Sequence, residues 1–427
     1  MIDLRTLEQI LSDQAEELTV KERHNYCRRH EESLIDLDSP QAQVVIGIRR
    51  CGKSTLCYNA LRHAGVNFAY VNFDDERLAM LNSDDLNNVL ETLYKINGSF
   101  DYLFLDEIQN VNGWHLFVNR LLRREMKIIV TGSNAKLLSG ELATHLTGRH
   151  NTITLFPFSF AEYCLCTGVD TTGQSTEKKA LRRKAFDQYT ALGGFPELLK
   201  IKNHKSYIDN LTENILKRDI EQRFKPAHVS SFETIARNLL NEAPTKLSYS
   251  AIGSNFGIKS PHTVKNYISY LQQAYLLLSL HKFSPKSRLR LVGEKIYTSD
   301  VALMDKRTDA FSGPNLGWRL ETIIYIELLR RCKRAGLDIY YLDDSRNECD
   351  FIVCENNKTI QAIQVSYDLS SARTRERETK GLLMAAKKTG CDNLLLLTDH
   401  EYSDEHINGL NIQIRPAYDW LLGVHRS

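Results

Sequence analysis

Hydrophobic and polar positions fall into blocks along the chain. Residues 1–40 carry apolar positions at helical spacing, with a basic cluster at Arg28-Arg29-His30, and predict an amphipathic helical segment. From 41 to 165 short apolar runs alternate with helical patterns. The runs near 43–48, 68–73, 102–106 and 127–132 predict strands. This rhythm predicts an α/β fold, with a parallel sheet covered by helices on both faces. Ligands of such sheets sit at the carboxyl ends of the strands.

Beyond this block, Thr167-Gly168-Val169-Asp170-Thr171-Thr172-Gly173-Gln174-Ser175 has the composition of a linker within 167–180. Residues 181–235 read as helical, with a break at Gly193-Gly194-Phe195-Pro196. In 236–283, Ser248–Asn255 predicts a helix, Phe256-Gly257-Ile258 a turn, and Ser260–Leu278 a second helix with Pro261 at its first position. That is the outline of a winged helix-turn-helix, and equally of a small helical bundle. The second helix would expose His262, Thr263, Lys265, Asn266 and Tyr267 to a DNA major groove. In 284–427 a helix is expected around Asn315–Cys332, followed by strands near Ile339–Leu342, Cys349–Val353, Thr359–Val365 and Asn393–Leu397. The expected divisions are 1–40, 41–166, 167–235, 236–283 and 284–427.

Three motifs lie at the ends of the predicted strands. Gly47-Ile48-Arg49-Arg50-Cys51-Gly52-Lys53-Ser54 fits G-x-x-x-x-G-K-[ST], a loop that cradles phosphates. Val44-Val45-Ile46 enters it as a strand, and Thr55–Leu61 leaves it as a helix. Backbone N–H groups and the helix dipole would then face the phosphates. Gly47, Ile48, Arg49, Arg50, Cys51, Gly52, Lys53, Ser54 and Thr55 form the candidate ATP-binding set. Lys53 would reach the β- and γ-phosphates, and Ser54 would hold Mg²⁺. Arg49 and Arg50 either contact nucleotide or a neighbouring subunit, or are solvated. Cys51 is expected to be sensitive to alkylation by its place in the loop.

The second motif is Asp101-Tyr102-Leu103-Phe104-Leu105-Asp106-Glu107, an apolar run ending in two acids. Acids at the end of a buried strand are costly unless they face a site. Asp106 would orient Mg²⁺, and Glu107 would polarise the attacking water. The third motif is Thr131-Gly132-Ser133-Asn134. Here Ser133 or Asn134 either caps a helix over 135–146 or lies near the γ-phosphate. Arg149, after the Thr147-Gly148 turn, either projects into a neighbouring subunit's site as an arginine finger or is a solvated residue beyond a helix end. Asp74-Asp75 reads as an acidic turn after a strand.

Bulk composition narrows the picture. With 427 residues, the chain is too long for one core. Its 55 basic and 53 acidic residues leave a net charge of +2, so any nucleic-acid surface must be local. The nine cysteines have no zinc spacing and predict reduced thiols, with Cys349 and Cys354 as packing residues. The longest apolar runs are too short to span a bilayer, and a cytoplasmic protein without membrane contact is expected.

These motifs together resemble prokaryotic AAA-superfamily ATPases that carry a winged helix and a nuclease-like C-terminal domain. The likeness rests on Gly47–Thr55, on Tyr70-Val71-Asn72-Phe73-Asp74-Asp75-Glu76-Arg77, on Leu105-Asp106-Glu107-Ile108-Gln109, on Thr131–Asn134 and on Leu146–Arg149. Phe156-Pro157-Phe158-Ser159-Phe160-Ala161-Glu162-Tyr163 and Gly193–Glu197 extend it over nearly the whole chain. The resemblance implies Asp106 and Glu107 as Walker B acids, Asn134 or Ser133 as sensor, and Arg149 as finger. It also implies a restriction-endonuclease-like fold for 284–427, whose active members hold Mg²⁺ with a helix Glu, a strand-end Asp and a Glu-x-Lys. Here those positions are Glu321, Asp350 and Gln364-Val365-Ser366. Gln364 could offer one neutral ligand, but Ser366 offers no positive charge, so a degenerate site is expected.

The function these features predict is Mg²⁺-dependent ATP binding and hydrolysis in a homo-oligomer, coupled to duplex DNA through the winged helix or to a protein partner. A nucleotide-gated nuclease and a non-hydrolysing ATP-bound switch or scaffold in defence or signalling are the alternatives.

Overall fold

The computed structural model describes residues 3–22, 26–133, 146, 148–173, 175–284, 293–304, 315–344 and 346–423. The chain divides into two compact units: residues 1–155 with 273–275, and 156–272 with 276–427.

In the first unit, α1 (Leu4–Glu22) precedes a parallel sheet of β1 (Ala42–Ile46), β2 (Phe68–Asn72), β3 (Tyr102–Asp106), β4 (Lys127–Gly132) and β5 (His150–Thr154). The strand order is β2-β3-β4-β1-β5. Every neighbouring pair runs parallel. Helices α2 (Lys53–His63), α3 (Leu86–Asn97) and α4 (Trp114–Leu122) connect the strands. β1 and β3 are buried at all their residues. That burial explains why they read as unbroken apolar runs. β5 was not among the expected strands: His-Asn-Thr-Ile-Thr buries only Ile153.

β2 is an edge strand, and α1 lies against it. The Gln14 side-chain amide donates to the Asn72 carbonyl at 3.1 Å and accepts from the Asn72 N–H at 2.9 Å. Both backbone groups that an edge strand leaves open are thereby satisfied at that residue.

The second unit begins with α5 (Phe160–Thr167) and α6 (Thr176–Leu192), whose Phe160, Tyr163, Phe186 and Tyr189 share one core. This packing accompanies a break between units at Leu155. The linker-like residues 168–173 lie inside the unit, where the buried Arg182 donates to the Gly173 carbonyl at 2.6 Å. At the Gly193-Gly194 break, Gly193 has φ 84°, and a Cβ there would lie 1.9 Å from Asp300 Oδ1. Asp300 accepts the Gly194 N–H at 2.9 Å and the Ala302 N–H at 2.8 Å.

After α7 (His204–Asn214) and α8 (Val229–Glu242) come β6 (Thr245–Lys246), α9 (Tyr249–Asn255), α10 (Pro261–Gln273), β7 (Leu277–His281) and β8 (Glu294–Thr298). The strands form an antiparallel sheet ordered β6-β8-β7. The second helix is shorter than its expected span, because Leu277 onward pairs as a strand instead. Tyr267, expected on the exposed face, is buried at 2% exposure. It packs edge-on against Phe232, and its hydroxyl accepts the His228 N–H at 3.1 Å. His262 and Lys265 are exposed, and Thr263 and Asn266 half-buried.

The remainder of the unit is α11 (Leu316–Ala335), β9 (Asp338–Asp343), β10 (Glu348–Glu355), β11 (Lys358–Val365), α12 (Ala372–Thr389), β12 (Leu394–Thr398), β13 (Ser403–Ile407), β14 (Leu410–Pro416) and α13 (Ala417–Leu421). Its six strands form a mixed sheet ordered β13-β14-β12-β11-β10-β9. The fold is therefore α/β throughout, as the alternation of elements predicts. Seven cysteines are free and buried, Cys349 and Cys354 among them, whereas Cys27 and Cys166 are disulfide-bonded, against the expectation of reduced thiols throughout. No described helix is long and apolar enough to cross a membrane.

Candidate active site

The site is built at the carboxyl ends of β1, β3 and β4. β1 runs into Gly47, where φ is 151° and a Cβ would lie 2.0 Å from the Leu155 carbonyl oxygen. Only a glycine lets the loop leave the sheet at this closeness. Gly52, at φ 101°, turns the chain into α2, which starts at Lys53. The open N–H groups of the first helical turn thus face the loop.

Lys53 is 4% exposed, and its ammonium donates to the carbonyls of Gly47 and Ile48, each at 3.2 Å. It also lies 3.5 Å from Glu107 Oε1. Ser54 Oγ donates to Asp106 Oδ1 at 2.9 Å, the Thr131 hydroxyl donates to the same oxygen, and Tyr70 donates to Oδ2 at 3.2 Å. Three hydroxyl donors on one buried carboxylate match an acceptor-only, ionised group. Burial pushes the Asp106 carboxyl above its ordinary value, and the neighbouring Glu107 charge adds to the rise.

Glu107 sits in the left-handed region at φ 52°. Its N–H donates to Thr131 Oγ1 at 3.0 Å. Its Oε2 accepts the Ser133 N–H at 3.1 Å and the Gln109 side-chain amide. Burial acts to raise its pKa, but the Lys53 charge, the Gln109 hydrogen bond and the Arg49 charge outweigh it and leave the carboxyl below its usual range. Glu107 is therefore a fixed anion at neutral pH.

The structure brings together Gly47, Lys53, Ser54, Asp106, Glu107 and Ser133. It adds Tyr70, Gln109 and Thr131, which motif reading did not single out. Thr131 could have been found, since it is the hydroxyl that ends β4. Arg49 Nη2 lies 2.5 Å from Asp74 Oδ2, so the acidic turn after β2 reaches the phosphate loop. Arg50 is exposed at φ 66°. Cys51 runs against the expected alkylation: it is fully buried, and burial pushes its thiol up. Arg149 is exposed, and its carbonyl accepts the Ala42 N–H at 2.9 Å, at the start of β1. It therefore lies at the amino-terminal end of the strands, the end away from the loop on its own chain. Asn134 and the helix expected over 135–146, apart from Leu146 at its end, lie outside the described residues.

The second unit holds a cleft of about 570 Å³ that Trp318, Glu321, Glu348, Asp350, Gln364 and Glu378 help to line. Glu321 and Asp350 both line it. Gln364 does not offer a free ligand: its Oε1 accepts the Asp350 N–H at 3.2 Å, and its Nε2 donates to Glu378 Oε2 at 2.7 Å. The positive charge that Ser366 lacks arrives from β8. Lys295 Nζ lies 2.7 Å from Glu321 Oε1 and 2.8 Å from Glu348 Oε1. Lys295, Glu348 and Glu378 were not foreseen. A lysine inside the half-apolar strand Glu294-Lys295-Ile296-Tyr297 was the available sign, because a buried ammonium needs acidic partners. Burial lowers the pKa of Lys295, but the charges of Glu321, Asp350 and Glu348 hold it above the usual value. Burial and the Glu321 charge push the Asp350 carboxyl well up.

Residues 39–164 match the model of an AAA domain. Residues 183–312 and 316–415 match two domains of unknown function, DUF8612 and DUF4143. An uncharacterized protein of Methanocaldococcus jannaschii is 31% identical over 406 residues, spanning 91% of this chain and 90% of its own. One of Haemophilus influenzae is 30% identical over 405 residues, spanning 90% and 95%. Among solved structures, the Walker-type ATPase of Pyrococcus abyssi is similar at 16% identity and TM-score 0.43, covering 66% of this chain and 95% of that one. AMPPCP-bound DnaA of Aquifex aeolicus is similar at 18% identity and TM-score 0.26, covering 57% and 85%. With its likeness extending over nine-tenths of its length, the chain belongs to the same family as the M. jannaschii and H. influenzae proteins, and its residues 39–164 form an AAA-type P-loop ATPase domain.

Proposed function

We propose that the chain binds ATP with Mg²⁺ at Gly47–Thr55 and hydrolyses its β–γ phosphoanhydride bond, in a homo-oligomer coupled to DNA or a protein partner. The observation that carries this reading is the network Ser54–Asp106–Thr131–Glu107–Lys53 at the ends of three adjacent strands. Mg²⁺ fits the donor set, since Ser54 Oγ and Asp106 Oδ1 are hard oxygens only 2.9 Å apart. When bound, the ion neutralises charge on the β- and γ-phosphate oxygens. Lys53 exchanges its contacts with the Gly47 and Ile48 carbonyls for phosphate oxygens. Glu107, kept anionic by Lys53 and aimed by Ser133 and Gln109, accepts a proton from the attacking water. Thr131 holds Asp106 and the Glu107 backbone in register. Asn134 or Ser133 senses the γ-phosphate, and Arg149 completes the site of a neighbouring copy.

The arrangement of α9 and α10 followed by the β7–β8 hairpin supports a winged helix-turn-helix. In this reading His262, Thr263, Lys265 and Asn266 contact duplex DNA. The deciding measurement is ATP turnover of wild type and Glu107→Gln, with and without duplex DNA. Turnover that the substitution abolishes and DNA raises supports a DNA-coupled ATPase. Turnover that depends on Glu107 but ignores DNA shifts the coupling to a protein partner. Absence of turnover in wild type overturns hydrolysis and leaves a nucleotide-bound switch.

A further inference from the structure

Three carboxylates from two elements converge in the cleft of the second unit: Glu321 from α11, and Glu348 and Asp350 from β10. At their meeting point lies the Lys295 ammonium, 2.7 Å from Glu321, 2.8 Å from Glu348 and 3.9 Å from Asp350. We infer that Lys295 is the resident cation of this cluster, standing where a nuclease-like fold would place a divalent metal, so that the cleft holds its acids together without one.

The volume is already taken. Mg²⁺ binds oxygens at about 2.0–2.1 Å, so an ion shared by Glu321 and Glu348 would overlap the ammonium. Several of the donor atoms carry further contacts. Tyr297, on the same strand as Lys295, donates to Glu321 Oε1 at 2.7 Å. Asp350 Oδ2 accepts the Val365 N–H at 2.9 Å, and Gln364 spends its amide on the Asp350 N–H and Glu378. Lys246 adds a second ammonium 2.8 Å from Glu348 Oε2. Among the described residues, no three His, Cys, Asp or Glu side chains are grouped to hold a metal ion.

Lys295 is also held in place. Its strand pairs on both sides, with Leu280 of β7 and Lys246 of β6 as register partners. Its side chain is 8% exposed. A tethered ammonium balances charge as an ion does, but it cannot activate water or be exchanged. The cleft thus gathers its acids around a charge that supplies no Lewis acid.

This inference rests on reading the cleft as the counterpart of a nuclease metal site. Its test reads metal rather than ATP turnover, so its failure leaves the ATPase reading standing. Mn²⁺ is titrated by electron paramagnetic resonance into the full chain without nucleotide, for wild type, Asp350→Asn, Lys295→Met and the Lys295→Met/Asp350→Asn double variant. Any ion at Ser54 and Asp106 is common to all four and cancels. The expected result is equal Mn²⁺ binding by wild type and Asp350→Asn, with a gained site in Lys295→Met that the double variant loses. Asp350-dependent Mn²⁺ binding in wild type would overturn the inference, and that comparison holds even if Lys295→Met fails to fold. A folded Lys295→Met that gains no site would overturn it as well.

Discussion

Ser54 Oγ donates to Asp106 Oδ1 across 2.9 Å, so the first turn of α2 and the end of β3 are joined by a single hydrogen bond. Glu107, the next residue, faces Lys53 instead. Adjacent acids on one strand end therefore have separate tasks, one held by hydroxyls and one by charge and amides. Replacing Glu107 by Gln keeps the shape and the Ser133 contact while removing the base. ATP turnover should fall by about 10²–10⁴-fold with nucleotide affinity nearly unchanged. Phosphate release and fluorescent-nucleotide titration check both halves. A loss below about tenfold would place the base elsewhere.

Arg149 sits at the end of the strands away from its own phosphate loop and is exposed, so Arg149→Ala should change stability by no more than about 0.5 kcal/mol. Turnover should nonetheless drop by about 10³-fold or more if it serves a neighbour. Mixing Arg149→Ala with Lys53→Ala protein should restore part of the activity, because each variant supplies what the other lacks. Failure to complement in a mixed oligomer would return Arg149 to a solvated role.

Gly47→Ala would drive a methyl group against the Leu155 carbonyl and so against the junction of β1 and β5. The expected cost is about 1–3 kcal/mol, the range for overpacking a tight site. Nucleotide affinity should fall with it, since the loop must shift to make room. Thermal unfolding and nucleotide titration measure the two effects, and an unchanged melting temperature would refute the close approach.

Burial raises the Asp300 pKa from 3.8 to about 6. A raised folded-state value means that Asp300 favours the folded chain below pH about 4 and loses that contribution as the pH climbs through about 6. The shift corresponds to about 3 kcal/mol. Urea unfolding of wild type and Asp300→Asn from pH 4 to pH 7 should therefore show the difference moving in favour of the variant by that order. A difference independent of pH would mean that the Gly194 and Ala302 N–H groups hold Asp300 ionised throughout.

The central strands were legible because burial on both faces makes Val44–Ile46 and Leu103–Leu105 continuous apolar runs. β5 was not, because His150, Asn151 and Thr152 at the edge of the sheet need no such composition. The phosphate loop and the two acids after β3 announced themselves by order and spacing. Tyr70, Thr131 and Gln109 did not, since ordinary polar residues acquire meaning only when the strands bring them to one point. Tyr267 was misplaced because a helix's exposed face was judged from its own sequence, while Phe232 of α8 packs on it and His228, just before α8, bonds its hydroxyl. Lys295 escaped for a related reason. It precedes Glu321 in the chain and comes from a different sheet, so no spacing rule within the C-terminal elements could reach it.

The paired contacts between the Gln14 amide and Asn72 carry a consequence for crowded conditions. A side chain there imitates the backbone of a further strand, so an unfolded or foreign segment finds no template where β2 would otherwise offer one. Gln14→Leu should keep α1 packed but reopen that border. The substitution is expected to raise fibrillar self-association, from a single amide far from the phosphate loop.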